Sequence, residues 1–110
     1  MSSSPQGLSS SQQKIVSDIL HAHLLAKDSF SVSFFGSRSK NTFRKYSDLD
    51  LWIETSPSLT RAEIADIYEA MEESDLPIKI DIVTPETCLK EFLPHILSEK
   101  VLWYSKTTIK

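Results

Sequence analysis

Apolar residues follow two different periods along this chain, and the switches between them mark its elements. From about Ser11 to Lys27 they recur at Ile15, Val16, Ile19, Leu20 and Leu24, the stripe of an amphipathic helix. Phe30 to Phe35 alternates instead, Phe30, Val32 and Phe34 on one side and Ser31 and Ser33 on the other, which predicts a strand that Gly36 ends. A short helix from Ser37 to about Asn41 would fit the polar stretch that follows. Asp48 to Glu54 alternates again, with Leu49, Leu51 and Ile53 opposed to Asp48, Asp50, Trp52 and Glu54, so this second strand has one buried face.

After a turn at Ser56 to Ser58, Thr60 and Glu63 have the spacing of a capping box, in which each side chain satisfies an amide left over at a helix start. The helix after it carries Ile64, Ile67, Tyr68 and Met71 as its stripe, and its acids read as a solvated face. Pro77 opens a third strand, Ile78 to Val83, with Asp81 on the polar side. Pro85 suits the first turn of a helix that reaches about Ser98, with a break or kink near Pro94, before a last strand from Val101 to Tyr104. This order predicts an α/β or α+β fold, a mixed sheet flanked by helices.

At 110 residues there is room for one small domain, assigned to residues 12–110. Residues 1–11, rich in serine with Pro5 and Gly7, read as a disordered tail. Hydrophobic residues make up 40% and charged residues 25%, a globular balance, and the net charge of −3 disfavours direct nucleic-acid binding. The longest apolar run is four residues, Val101 to Tyr104, against the roughly 20 needed to cross a bilayer, so no membrane association is expected. No signal-like start is visible, and a cytoplasmic location is expected. The lone Cys88 excludes an internal disulfide and reads as a packing residue, and no Cys and His set has zinc spacing. His21 and His23, two apart on a helix, point in different directions, and His95 has no ligand partner in sequence. Trp52, Trp103 and Tyr104 read as core or interface residues, with Trp52 on the face of the acids.

The chemistry concentrates between Gly36 and Asp81. Glycine lets a backbone approach a ligand closely, and the free amides after Gly36, with the Ser37 hydroxyl, would make an anion cradle. Arg38, Lys40, Arg44 and Lys45 fall in a stretch without acids, an electropositive patch in an acidic protein. Asp48 and Asp50 stand two apart on a strand, so their carboxylates share a face and repel each other until a cation intervenes. Magnesium suits them, because it takes oxygen ligands and completes its shell with water and substrate phosphates. Asp81, on a neighbouring strand, adds a third carboxylate, and the set fits two-metal phosphoryl chemistry.

Gly36-Ser37, the ten residues Arg38 to Ser47, and then Asp48-Leu49-Asp50 resemble the signature of the minimal nucleotidyltransferases of the DNA polymerase beta-like superfamily. Asp75 to Val83 is similar to that family's third-carboxylate strand. The chain resembles in particular the nucleotide-binding subunit of two-subunit systems whose partner is a helical protein of the HEPN class. This resemblance implies that Gly36 and Ser37 hold the β and γ phosphates of a nucleoside triphosphate, with charge added by Arg38 and Lys40. It further implies that Asp48 and Asp50 bind two magnesium ions and that Asp81 binds the one on the attacking side. Many relatives have a second glycine after the Gly-Ser pair; Asn41, which tolerates left-handed dihedrals, is read as its substitute here.

The expected activity is transfer of a nucleoside monophosphate, AMP, from ATP to a hydroxyl, and the resemblance implies the helical partner's tyrosine as acceptor and this chain as antitoxin. A chain this short has no separate domain to recognise an acceptor, so a partner or a second copy, as in a homodimer, is expected to supply that site. The alternative is a non-catalytic nucleotide-binding or neutralising subunit that acts by protein binding.

Overall fold

The computed structural model describes residues 4–40, 44 and 47–107. Its elements are α1 (Ser10–Leu24), β1 (Ser29–Phe35), α2 (Ser37–Lys40), β2 (Leu49–Ser56), α3 (Arg61–Glu73), β3 (Ile80–Val83), α4 (Leu93–Glu99) and β4 (Val101–Thr107). The four strands form one mixed sheet in the order β3-β2-β1-β4. β1 runs antiparallel to both β2 and β4, and β3 runs parallel to β2 after the crossover through α3. The chain is therefore an α+β domain with helices flanking a mixed sheet.

Period-two alternation gives the sheet its core face. Phe30, Val32 and Phe34 of β1, Leu49, Leu51 and Ile53 of β2, and Ile80 and Ile82 of β3 are all buried in one cluster. Val16, Leu20 and Leu24 of α1 and Ile67 and Met71 of α3 close that cluster from above, and Trp103 of β4 joins it. The capping box of α3 forms as its spacing predicts: Thr60 Oγ1 accepts from the Glu63 amide at 3.1 Å, and Glu63 accepts from the Thr60 amide at 2.9 Å.

From residue 4 onward the N-terminal segment departs from the disordered tail expected over residues 1–11, whose residues 1–3 lie outside the described residues. Pro5 and Leu8 are buried, and α1 starts at Ser10 behind Ser9, whose hydroxyl accepts from the Gln12 amide while Gln12 reaches back to the Ser9 amide. A serine-rich stretch that reads as low complexity thus holds a helix cap, and the Gln6 amide donates to the Arg38 carbonyl at 3.1 Å, a contact that no local pattern announces.

Two further boundaries move for physical reasons. β3 begins at Ile80, not Ile78, because β2 begins at Leu49 and pairs it with Ile80. α4 begins at Leu93 with Pro94 in its first turn, so the proline starts the helix where a kink was expected. The residues after Pro85 form turns instead, organised by Thr84, which is buried and exchanges hydrogen bonds with Thr87.

Candidate active site

β1 ends at Phe35, opposite Asp50 in the antiparallel register, and Gly36 turns the chain away from the sheet. Its φ is 75°, in the left-handed region, and a Cβ there would collide with the Asp50 carboxylate. Glycine is therefore required twice over, once by the backbone and once by the acid that lies against it. α2 follows at once, with the Ser39 amide and hydroxyl both donating to the Gly36 carbonyl, at 3.0 and 2.8 Å. Among the described residues the Ser37 hydroxyl makes no hydrogen bond, which leaves it available beside the turn.

The three acids share the sheet face opposite the core. Asp50 and Asp81 are register partners across the parallel β2–β3 pair, and Asp48 lies just before β2, two residues from Asp50. Asp48 and Asp81 are exposed, whereas Asp50 is partly buried. Burial first, then the charges of Asp81, Asp48 and Glu99, push the Asp50 carboxyl up to about 6. Among the described residues no three metal-ligating side chains stand close enough to form a ready cage. The donor set nevertheless fits a magnesium ion: hard carboxylate oxygens on one face, mutually repelling, with room for water and substrate oxygens to complete the shell.

The shift of Asp50 sets a pH dependence. An acid whose pKa is raised by folding favours the native state while protonated, so its contribution is present below the ordinary carboxylate range and is lost as pH rises through about 6. In chelator, the melting temperature is expected to fall between about pH 4 and 7 by more than in Asp50→Asn protein. Parallel thermal melts of the two proteins over that range check this; superimposable profiles would show that Asp50 ionises without opposition.

Arg38 is placed otherwise than the resemblance implies. It is 1% exposed, and its guanidinium donates to the Ser47 carbonyl from Nε (3.2 Å) and Nη2 (3.0 Å) and to the Gln6 carbonyl from Nη1 (2.7 Å). A buried cation satisfied by carbonyls is a brace. It ties the N-terminal segment to the residue just before Asp48, and so fixes where the acidic strand begins. Lys40 stays at the surface, half exposed, and its Nζ meets Glu99 Oε2 at 2.9 Å. Arg44 is exposed, while Asn41 and Lys45 lie outside the described residues.

Sequence reasoning missed two contributors, Glu99 and Tyr68. Glu99, at the end of α4, accepts from the Gly36 amide at 3.3 Å and also pairs with Lys40 and His95. His95 thus has a carboxylate partner one helical turn away. Lys40 holds the Glu99 carboxyl below its ordinary range. Tyr68 on α3 accepts from the Ile82 amide at 2.7 Å and donates to Asp81 Oδ1 at 3.4 Å, which steadies the edge strand that carries the third acid. Trp52, between Asp50 and Glu54 on the acidic face, is 2% exposed and outside the main core cluster, with Nε1 donating to Glu54 at 2.9 Å. It is a packing residue on that face. Trp52 thus stands as the sequence reading has it, Tyr68 left a trace only as part of its helical stripe, and Glu99 left none, because it meets Gly36 from 63 residues away.

Known proteins are similar to this chain in sequence and in fold. The chain is 40% identical over 63 residues to the probable protein adenylyltransferase MntA of Haemophilus influenzae, a match that covers 57% of this chain and 55% of that protein. The matched part thus spans about half the length of that relative. Its fold superposes with a TM-score of 0.68 on a chain from a crystal structure of a toxin-antitoxin with AMP-PNP, at 15% identity, covering 83% of this chain and 71% of the other. No helix among the described residues is long and apolar enough to cross a membrane. Residues 23–109, which hold the Gly-Ser turn and all three acids, match the family described as Polymerase beta, Nucleotidyltransferase. The chain belongs to that family, as a minimal nucleotidyltransferase.

Proposed function

We propose that this chain transfers AMP from ATP to a hydroxyl of a partner protein, with the partner's tyrosine as acceptor, and acts as the antitoxin of a helical HEPN-type toxin. The observation that carries the reading is the register of Asp50 with Asp81, one strand over and on the face that Gly36 turns toward. The adenylyltransferase name of the Haemophilus relative and the toxin-antitoxin setting of the structural neighbour favour AMP and a protein acceptor.

In this reading Gly36 and Ser37 bind the β and γ phosphates through the turn's amide and hydroxyl, and Lys40 neutralises part of their charge. Asp48 and Asp50 would hold two magnesium ions, and Asp81 would hold the one on the acceptor side. Magnesium held there would neutralise the phosphates and lower the pKa of the attacking hydroxyl. Asp81 orients that hydroxyl toward the α phosphorus and takes up its proton, while the oxygen forms a new P–O bond and the bond to pyrophosphate breaks. Arg38 acts at a distance, by fixing the start of β2. Positioning and charge neutralisation are what the protein contributes.

The test incubates α-labelled ATP and magnesium with this chain and the product of its neighbouring gene, beside an Asp48→Ala, Asp50→Ala control. Label on a tyrosine of the partner, absent in the control, is the expected result. Absence of label, with pyrophosphate release no greater than in the control, would reject transfer for that pair and leave a neutralising subunit that acts by binding. The cytoplasm is the expected compartment, since both ATP and a toxin partner are met there.

A further inference from the structure

We infer that the Glu99 carboxylate is a built-in occupant of the phosphate cradle, which the triphosphate must displace, so that Glu99 sets the affinity for nucleotide. The inference rests on the nucleotide-binding reading above and goes beyond it, because neither the motif nor the family spacing includes this residue.

Two contacts define the occupancy. Glu99 Oε1 accepts from the Gly36 amide, and Glu99 Oε2 takes the Lys40 ammonium at 2.9 Å. An amide has one hydrogen to give, so a phosphate oxygen can bind Gly36 only if the carboxylate leaves. Lys40 is the surface cation of the same turn, and its charge is neutralised by the same group. The carboxylate is 12% exposed, held against the turn and not waving in solvent. Its charge also reaches Asp50, whose carboxyl it helps to raise, so it opposes a second anion arriving there.

The displaced group has somewhere to go. His95, one helical turn earlier on α4, already contacts Glu99 and is itself two-thirds exposed. A carboxylate that swings off Gly36 can therefore keep an imidazole partner at the surface. Weakly charged anions are poor competitors for a paired carboxylate, whereas a magnesium-bound triphosphate brings its own cation to Asp50 and offers several oxygens to the turn. Glu99 thus raises the threshold for occupancy and discriminates against single phosphates.

Calorimetric titration of the purified full chain with AMP-PNP and magnesium tests this, comparing the parent, Glu99→Gln and Lys40→Ala. The expected result is a Kd roughly three- to tenfold lower in Glu99→Gln, with binding of inorganic phosphate also strengthened. The gain should shrink, but not vanish, when Glu99→Gln is made in the Lys40→Ala background, because the released lysine is one part of its source and the freed Gly36 amide the other. Glu99→Asp, which keeps the charge but is one methylene shorter, gives a second reading should the Gln variant fold poorly, and is also expected to bind tighter than the parent. A folded Glu99→Gln or Glu99→Asp protein that binds AMP-PNP no better than the parent, or worse, overturns the inference and leaves Glu99 as a support for Lys40. Failure of the parent and every variant to bind overturns the nucleotide reading together with it.

Discussion

Asp50→Asn protein is expected to lose transfer by about 1,000-fold, the scale seen when one preorganised charge partner of a transition state is removed, and yet to melt higher than the parent at pH 8 in chelator. Asp50 is ionised at that pH against partial burial, Asp81, Asp48 and Glu99. Asparagine keeps the shape and removes the charge. A shift from the ordinary range to about 6 corresponds to a few kcal/mol at full weight, and solvent screening at this half-buried position reduces it to on the order of 1 kcal/mol. For a domain of this size that is a rise of about 4–8 °C. Label transfer and thermal melts on the same preparations check both halves. An Asn variant that retains a tenth of the parent activity would remove Asp50 from the reaction, and one that melts lower would show that its carboxylate is stabilised by contacts other than those described.

Gly36→Ala is expected to lower stability by about 2–3 kcal/mol, or about 10 °C or more in melting temperature. Left-handed backbone costs an L-residue roughly 1–2 kcal/mol. The rest arises because the new methyl and the Asp50 carboxylate cannot occupy the same space, and Asp50 belongs to a central strand of the sheet that cannot retreat freely. The carboxylate must rotate instead, so activity should fall further than the loss of folded protein explains. Activity measured at 15 °C, where the variant is still folded by circular dichroism, separates the two effects. A variant that melts within about 2 °C of the parent and turns over normally would mean that the turn opens readily and that Gly36 is dispensable.

These two residues also show how the site holds together. The turn that would receive phosphate and the acid that would receive metal pack so closely that the Asp50 carboxylate fills the space a Cβ on Gly36 would take. Arg38 adds a third restraint, because its guanidinium fixes the Ser47 carbonyl at the entry to β2. A cation that sequence reasoning assigns to substrate is used inside the protein, and the surface charge beside the turn falls to Lys40. The sheet face that results is preorganised at Gly36 and Asp50 but open toward Asp48 and Asp81, both exposed. That openness suits chemistry whose acceptor arrives on another molecule.

The sequence by itself determined which residues of β1 and β2 face the core, where α3 is capped, and that Asp50 and Asp48 share a face. These are local properties: a strand alternates every residue and a capping box closes within one turn, so spacing alone decides them. Membership of Asp81 in the same face was legible too, since its alternation with Ile80 and Ile82 fixed its side of whichever strand pair formed. Tertiary structure alone decided that Arg38 is buried against Gln6, 32 residues away, that Glu99 reaches Gly36, and that Tyr68 steadies Asp81. It also decided that Leu8 joins the core and that β3 waits for Leu49 before it begins. The reason is common to all of them: a charged or hydrogen-bonding group goes to the partner that folding brings near it, and a partner dozens of residues away leaves no periodic mark on the chain.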